Sequence, residues 1–170
     1  MTKYLNKILL VFLLFLTSCS MDNTPTSQVE EMLYKYQTLD KDITSDINRV
    51  LDDADLNEDQ YKKYKKILEK QYRNLTYNIK EETIDNDIAT ITVEIEVLDY
   101  RKVVDKVENE YKGSTEYGSS SYIDYKLKEL EKTKDRVTYT INFTCTKNEN
   151  GKWELDNLTN LDKEKIEGMY

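Results

Sequence analysis

A chain of 170 residues with 33 acidic and 25 basic side chains carries a formal charge of −8 at neutral pH. This balance disfavours non-specific nucleic-acid binding, so we predict no nucleic-acid partner. The chain has no histidine and only two cysteines. That composition removes the usual general base, the Ser–His–Asp and Cys–His arrangements and ordinary zinc sites. We therefore predict no metal site and no cofactor, and we assign no catalytic residue.

Residues 1–18 are a predicted signal peptide. Lys3 and Lys7 precede an uninterrupted apolar run over residues 8–16. The run is too short to cross a bilayer, which takes about 20 apolar residues, but it is typical of a secretory leader. Without the leader, the rest of the chain is more acidic still, and its length suits one domain.

Cys19 follows the leader directly, after a Leu-Thr-Ser sequence. An aliphatic residue, two small residues and then cysteine resemble the lipobox of bacterial lipoproteins. The resemblance implies cleavage just before Cys19 and a lipid, such as palmitate, on its thiol. The protein would then be anchored to the cell membrane, on its extracytoplasmic face. An ordinary cleaved signal with an incidental cysteine is the alternative.

Residues 19–28 are expected to form the lipidated cysteine and a polar tether, and residues 29–170 a single domain. The domain opens with a helical periodicity, in which apolar residues recur every three or four positions. This pattern predicts one long helix or two helices with a bend near Asp40, with Ser27 as a cap. A further helix is predicted to begin at Asn57, with Gln60 in the matching capping position. Its inward residues are Tyr61, Tyr64, Leu68 and Tyr72.

The periodicity then changes to two, which predicts β-strands. A first hairpin turns at residues 85–87 and a second at Asn150-Gly151. Two helices, over residues 100–111 and around residues 123–130, separate the hairpins. We therefore predict an α+β fold in which N-terminal helices pack on a curved antiparallel sheet of about four strands. The residues expected to face the helices are Val93, Ile95, Ile141, Phe143 and Trp153, with Cys145 also buried.

Several segments together resemble uncharacterised lipoproteins of Gram-positive bacteria. They are the lipobox and tether, a Val-x-x-Met-Leu opening helix from Val29, the strand Ala89–Val97, a Gly-Lys-Trp-x-Leu-Asp segment from Gly151, and the final Glu167-Gly168-Met169. The resemblance implies a domain similar to the nuclear-transport-factor-two-like fold, a curved sheet wrapped around helices. That fold hosts both enzymes and binding modules, so it leaves the function open.

The segment from Lys112 to Ser121 is the only stretch rich in glycine and serine, and Tyr117 lies in its middle. Tyrosine among glycine and serine is the composition of binding loops, which place rigid aromatic contacts on an adaptable backbone. Tyr117, flanked by Tyr111 and Tyr122, is therefore the first candidate binding residue. A disordered connection is the alternative.

Tyr77 and Tyr139 form a second candidate, because both fall on inward phases of strands that could line a pocket. Simple filling of the core is the alternative there. We interpret the domain as a non-catalytic binding module for an envelope protein or an envelope polymer. The alternative is a small enzyme that uses carboxylate and tyrosine groups in a curved-sheet pocket.

Overall fold

The computed structural model describes residues 23–170 and confirms the α+β fold class. Within these residues, six helices accompany four antiparallel strands, which form a curved sheet that does not close. Cys19 and the predicted signal peptide lie outside the described residues. The elements are α1 Pro25–Thr38, α2 Lys41–Asp52, α3 Glu58–Arg73, β1 Thr76–Asp85, β2 Ile88–Leu98, α4 Tyr100–Tyr111, α5 Ser120–Lys132, β3 Arg136–Lys147, β4 Trp153–Leu155 and α6 Asn160–Ile166.

The first helix begins earlier than the sequence pattern predicted. Residues 25–28, assigned to the tether, already belong to α1, and its cap is Thr24 rather than Ser27. Thr24 accepts a hydrogen bond from the Ser27 backbone, and the Ser27 hydroxyl accepts one from the Thr24 backbone. Pro25 explains the early start, because its fixed φ suits the first turn and its missing N–H costs nothing there.

The long apolar periodicity of the N-terminal region resolves into two helices, the second of the two alternatives. Leu39 adopts a left-handed conformation with φ of 54° after α1, and the Asp40 side chain caps α2. Asn57 and Gln60 form the predicted capping box of α3. Local side-chain hydrogen bonds therefore define where these helices begin.

The sheet runs in the order β1-β2-β3-β4, with every neighbouring pair antiparallel. Its inner face is buried against the helices, and Val93, Ile141 and Phe143 are at most 2% exposed. The outer face is polar and solvated, and carries Thr92, Glu94, Thr140 and Asn142. The predicted inward and outward faces of β2 and β3 are thus confirmed.

A bulge at Lys80 interrupts the pairing of β1 with β2. Beyond it, Glu82 lies opposite the buried Ile91 and accepts hydrogen bonds from the backbone N–H and hydroxyl of Thr26. A carboxylate at a helix N-terminus is favourable because the free N–H groups there carry partial positive charge. The Glu82 side chain, which follows the bulge, therefore joins the start of α1 to the sheet.

Helices α4 and α5 connect the two hairpins and form a smaller apolar cluster with α3, separate from the main core. Gln60 of α3 holds the start of α5, since its amide donates to the Ser120 carbonyl and hydroxyl and to the Asp124 carboxylate. This contact fixes the end of the loop that precedes α5.

The short helix α6 was not predicted. Its sequence signal is a capping box, in which Thr159 and Asp162 exchange hydrogen bonds. Ile166 is fully buried in the main core. None of the helices in residues 23–170 has the length and apolar character needed to cross a membrane.

Candidate functional site

The predicted loop tyrosines come together on one surface of the α4–α5 pair. Tyr111 ends α4, Tyr117 lies in the connection, and Tyr122 and Tyr125 lie in the first turns of α5. We refer to these four residues as the loop tyrosine cluster. Tyr125 was not among the predicted site residues, although its spacing of three from Tyr122 places the two side chains on the same helix face.

The rings of this cluster form a row of contacts that runs from Tyr117 through Tyr122 and Tyr111 to Tyr125. The Tyr122 ring lies 4.9 Å from that of Tyr117 and 5.2 Å from that of Tyr111, and the Tyr125 ring lies 5.8 Å from that of Tyr111. Tyr122 is 5% exposed, whereas Tyr117 is 54% exposed. Tyr117 therefore covers a buried tyrosine with one side and offers much of its own ring to solvent.

The polar ends of the cluster are also organised. The Tyr125 hydroxyl donates to the Glu110 carboxylate at 2.9 Å. Burial raises the pKa of Tyr122 to about 12, and the neighbouring Tyr117 adds to the shift. An open depression of about 390 Å³ lies beside Tyr117. It is bordered by Glu108 and Asn109 of α4, by the C-cap residue Lys112 and by Gly113. The surface combines an exposed ring with hydrogen-bonding groups around it.

Tyr77 and Tyr139 occupy the same row of the sheet, on either side of Ile95. Both are half-buried on the inner face and pack against the main core. The Tyr139 hydroxyl donates to the carbonyl of the C-terminal Tyr170, and the two rings lie 5.6 Å apart. The structure does not bring these two residues together with the loop tyrosine cluster.

A cavity lined by helices contains the site that the sequence did not reveal. It has a volume of about 140 Å³ and lies between α1, α2, α3 and the end of α6. Its lining includes three tyrosines, Tyr36, Tyr64 and Tyr72, and the carboxylate of Glu167. We call this site the Glu167 pocket. Apolar side chains of α2 and α3 complete the wall, and Asp46, Arg49 and Lys163 also border it.

The Glu167 carboxylate has an unusual environment. Burial raises its pKa above the ordinary value of 4.5, and the hydrogen bond that Tyr72 donates at 3.4 Å partly opposes this shift. Among residues 23–170, no lysine or arginine nitrogen lies within 4.0 Å of it. Its charge is therefore not neutralised by an ion pair in the described part of the chain.

Of the pocket tyrosines, Tyr72 is buried, and Tyr36 and Tyr64 are half-buried. Tyr36 and Tyr72 are arranged edge to face, with ring centres 5.0 Å apart and planes at 77°. Burial raises the pKa of Tyr36 to about 12, with a smaller contribution from Glu167. Burial and then Glu167 also raise the pKa of Tyr72 and of Tyr64. The three phenols stay neutral under ordinary conditions.

The residue after Glu167 holds it in place. Gly168 has φ of 68°, and a Cβ there would overlap the carbonyl oxygen of Leu98 and the side-chain amide of Gln71. Gln71 is fully buried and exchanges two hydrogen bonds with the Leu98 backbone, and Arg101 donates its backbone N–H to the Gly168 carbonyl. Only glycine fits this close approach, so Gly168 anchors the C-terminal segment and fixes Glu167 over the pocket.

Cys145 is buried, as predicted, and its thiol lies 3.6 Å from the Pro25 carbonyl. Burial raises its pKa to about 11. A thiol with these properties is unreactive. Within residues 23–170, no group of three or more acidic or cysteine side chains is arranged to hold a metal ion.

Comparison with known proteins adds one distant likeness. No protein-family model matches the chain, and no curated protein matches it significantly. A crystal structure of ycdA, a presumed lipoprotein of Bacillus subtilis strain 168, shares 18% identity with a TM-score of 0.43. The match covers 74% of this chain and 44% of that chain, so this chain spans less than half of that protein.

Proposed function

We propose that the protein is a membrane-anchored extracytoplasmic lipoprotein whose domain is a non-catalytic module that binds a partner in the cell envelope. The anchor rests on the leader and Cys19, and the binding role rests on the loop tyrosine cluster. A relation of the domain to the nuclear-transport-factor-two-like fold belongs to the same proposal, supported by helices that pack on one face of a curved sheet.

The observation that carries the binding role is the exposure of Tyr117. An aromatic ring that is more than half exposed, held by a buried tyrosine beneath it, presents apolar surface at little conformational cost. Gly113 and Gly118, both with positive φ, allow the short connection to place Tyr117 there. Tyrosine residues in such positions are among the side chains that contribute most to protein interfaces. We therefore propose a protein of the envelope as the partner, contacted through Tyr117.

The arrangement of the Glu167 pocket favours binding over catalysis. Acid–base catalysis by two carboxylates needs a second group that is free to exchange protons. The other carboxylate that borders the pocket, Asp46, is bound to Arg49 at 2.8 Å. A small enzyme that uses Glu167 and Tyr72 remains the alternative, and turnover of a ligand by the wild type but not by Glu167→Gln would favour it.

Lipidation is tested by replacing Cys19. The Cys19→Ala protein is expected to lose fatty-acid labelling and to remain uncleaved or be released from the membrane. Radiolabelled palmitate and membrane fractionation measure these two properties, with Cys145→Ala as the matched control. Normal labelling and retention of Cys19→Ala would refute the proposed anchor.

The partner is tested by in-cell crosslinking followed by mass spectrometry. Tyr117→Ala is expected to weaken capture by about 1 kcal/mol or more at unchanged stability. Tyr34→Ala is the matched control, because Tyr34 is 62% exposed on α1, outside the loop tyrosine cluster. Equal capture by wild type, Tyr117→Ala and a variant with a minimal Gly/Ser loop would exclude this surface. Capture of a polysaccharide instead would change the class of partner.

A further inference from the structure

The Glu167 pocket has the composition of a site for an organic cation. Most of its wall is formed by three tyrosines together with Ile43, Ile47 and Leu68. Of its charged groups, Asp46 is paired with Arg49, Lys163 is exposed to solvent, and the Glu167 carboxylate has no ion pair among the described residues. The faces of aromatic rings attract cations, and rings grouped around a carboxylate hold ammonium groups that carry no hydrogen-bond donors. A cavity of this kind differs from an ordinary core, in which a buried carboxylate is paired with a basic group.

The size and access of the pocket fit a small group. A volume of about 140 Å³ is comparable to the roughly 150 Å³ cavity that accommodates benzene in an engineered protein. Val50, which is 49% exposed, and the largely exposed Arg49 border the cavity, so the cavity reaches the surface beside α2. The excess of acidic over basic residues in the chain also attracts cations toward the domain.

The hydrogen-bonding groups of the pocket distinguish between classes of ammonium ion. A primary ammonium has three N–H donors, each of which needs an acceptor when water is removed. Asp46 is held by Arg49, so Glu167 is the one lining carboxylate without an ion pair in the described residues, and most of the remaining wall is aromatic or aliphatic. A quaternary ammonium needs no acceptor and gains from aromatic contact alone. The wall therefore suits methylated nitrogen better than a free amine.

We propose that the Glu167 pocket binds a quaternary ammonium group, with Glu167 as the counter-ion and Tyr36, Tyr64 and Tyr72 as the aromatic wall. This site is separate from the loop tyrosine cluster and does not depend on the envelope partner proposed above. The ligand can be a free metabolite or the headgroup of a lipid, because both can carry the same trimethylammonium chemistry.

The proposal is tested by calorimetric titration of the full-length lipoprotein in a nonionic maltoside detergent, since a phosphocholine detergent would occupy the site. The probes are choline, tetramethylammonium, ethanolamine and 3,3-dimethyl-1-butanol, the neutral carbon analogue of choline. Choline and tetramethylammonium are expected to bind saturably, and the neutral analogue and ethanolamine at least about tenfold more weakly. Glycerophosphocholine, the soluble headgroup of a phospholipid, distinguishes a lipid source from a free one by whether it binds more tightly than choline.

Variants separate a ligand site from simple packing. Glu167→Gln is expected to lose about tenfold or more in choline affinity, whereas Glu149→Gln, at an exposed position in the turn between β3 and β4, keeps it. Tyr36→Phe retains the ring and is expected to bind as the wild type does, and Tyr36→Leu is expected to bind at least about fivefold more weakly. Equal binding of choline and its neutral analogue, or no binding of any probe by the folded wild type, would overturn the proposal.

Discussion

The Glu167 pocket lies between α1, α2, α3 and the end of α6, whereas the loop tyrosine cluster lies on α4, α5 and their connection. The two sites hold their tyrosines in different ways. In the pocket, Tyr72 is 6% exposed and its hydroxyl is directed to the half-buried carboxylate of Glu167. In the loop, Tyr117 is 54% exposed and packs against Tyr122 with the two rings tilted by 39°. The first environment shields a charge from water, and the second displays an aromatic surface to it.

The difference follows from the elements that hold each set. The pocket tyrosines Tyr64 and Tyr72 are two turns apart on α3, and regular helical spacing directs both to the same side. Tyr117 is held by a connection with few backbone hydrogen bonds and two glycines of positive φ. A rigid wall suits selection of a small ligand, whereas an adaptable loop suits a larger partner.

The largest expected contrast is in stability. Tyr72→Ala should lower the free energy of unfolding by about 3–5 kcal/mol, because it removes a buried ring from the contact of α1, α3 and α6. Tyr117→Ala should lower it by less than about 1 kcal/mol, since only one face of its ring is packed. Urea denaturation followed by circular dichroism measures both values. Comparable losses would show that the loop belongs to the folded core.

The second largest expected loss of stability concerns Gly168, which attaches the C-terminal segment to Leu98 and Gln71. Gly168→Ala should cost more than about 2 kcal/mol, because the added Cβ meets the Leu98 backbone at a left-handed φ. Gly151→Ala has a similar φ of 73° with open space around it, so only backbone strain of about 1–2 kcal/mol applies. Thermal unfolding of the two variants separates steric overlap from strain. A smaller loss for Gly168→Ala than for Gly151→Ala would contradict the close approach.

The loop tyrosine cluster could be predicted largely from the sequence, whereas most of the Glu167 pocket could not. Tyr117 among glycine and serine residues is a local signal, and the strands and capped helices around it follow from periodicity. Tyr64 and Tyr72 were likewise correctly predicted to face inward. Glu167 was missed because its position depends on α6, whose seven residues carry too little periodicity to stand out.

The pocket also depends on contacts distant in sequence. Tyr36 and Tyr72 lie on different helices, and Glu167 joins them only because Gly168 packs against Leu98. No local pattern encodes such a meeting. The early start of α1 is a different case, since Thr24, Pro25 and Ser27 form a readable capping signal that was assigned to the tether.

The charge in the pocket predicts a dependence of stability on pH. The pKa of Glu167 is raised in the folded state, so its contribution to stability is complete below the unfolded value of 4.5 and is lost as pH rises through the folded value. Glu167→Gln cannot ionise, and its stability relative to wild type should therefore increase as pH rises from about 4. Thermal unfolding across this range measures the difference. Glu149→Gln, at an exposed position away from the pocket, controls for the change in net charge, and the same trend in both variants would exclude a specific role of Glu167.

The smallest expected effect concerns the loop backbone. Within the loop, the backbone N–H groups of Ser114, Tyr117 and Ser119 donate to carbonyls three residues earlier, and the Glu116 N–H donates to the Ser114 hydroxyl. These residues offer little apolar surface besides Tyr117, so local opening of the segment should cost little free energy. The loop should therefore contribute no more than about 0.5 kcal/mol to the global free energy of unfolding. Amide hydrogen exchange should therefore be fast at residues 113–118 and slow in the centre of α3.

The same measurement connects loop motion to binding. A partner that buries Tyr117 should slow exchange at residues 113–118, because the closed turns are then selected, while choline should leave these amides unchanged and act near Tyr36 and Glu167. Protection of both regions by one ligand would mean that the two sites are coupled through α3, where Gln60 holds α5 and Tyr64 and Tyr72 line the pocket. Slow exchange of the loop in the free protein would instead show that its turn hydrogen bonds and the packing of Tyr117 against Tyr122 are sufficient to order it.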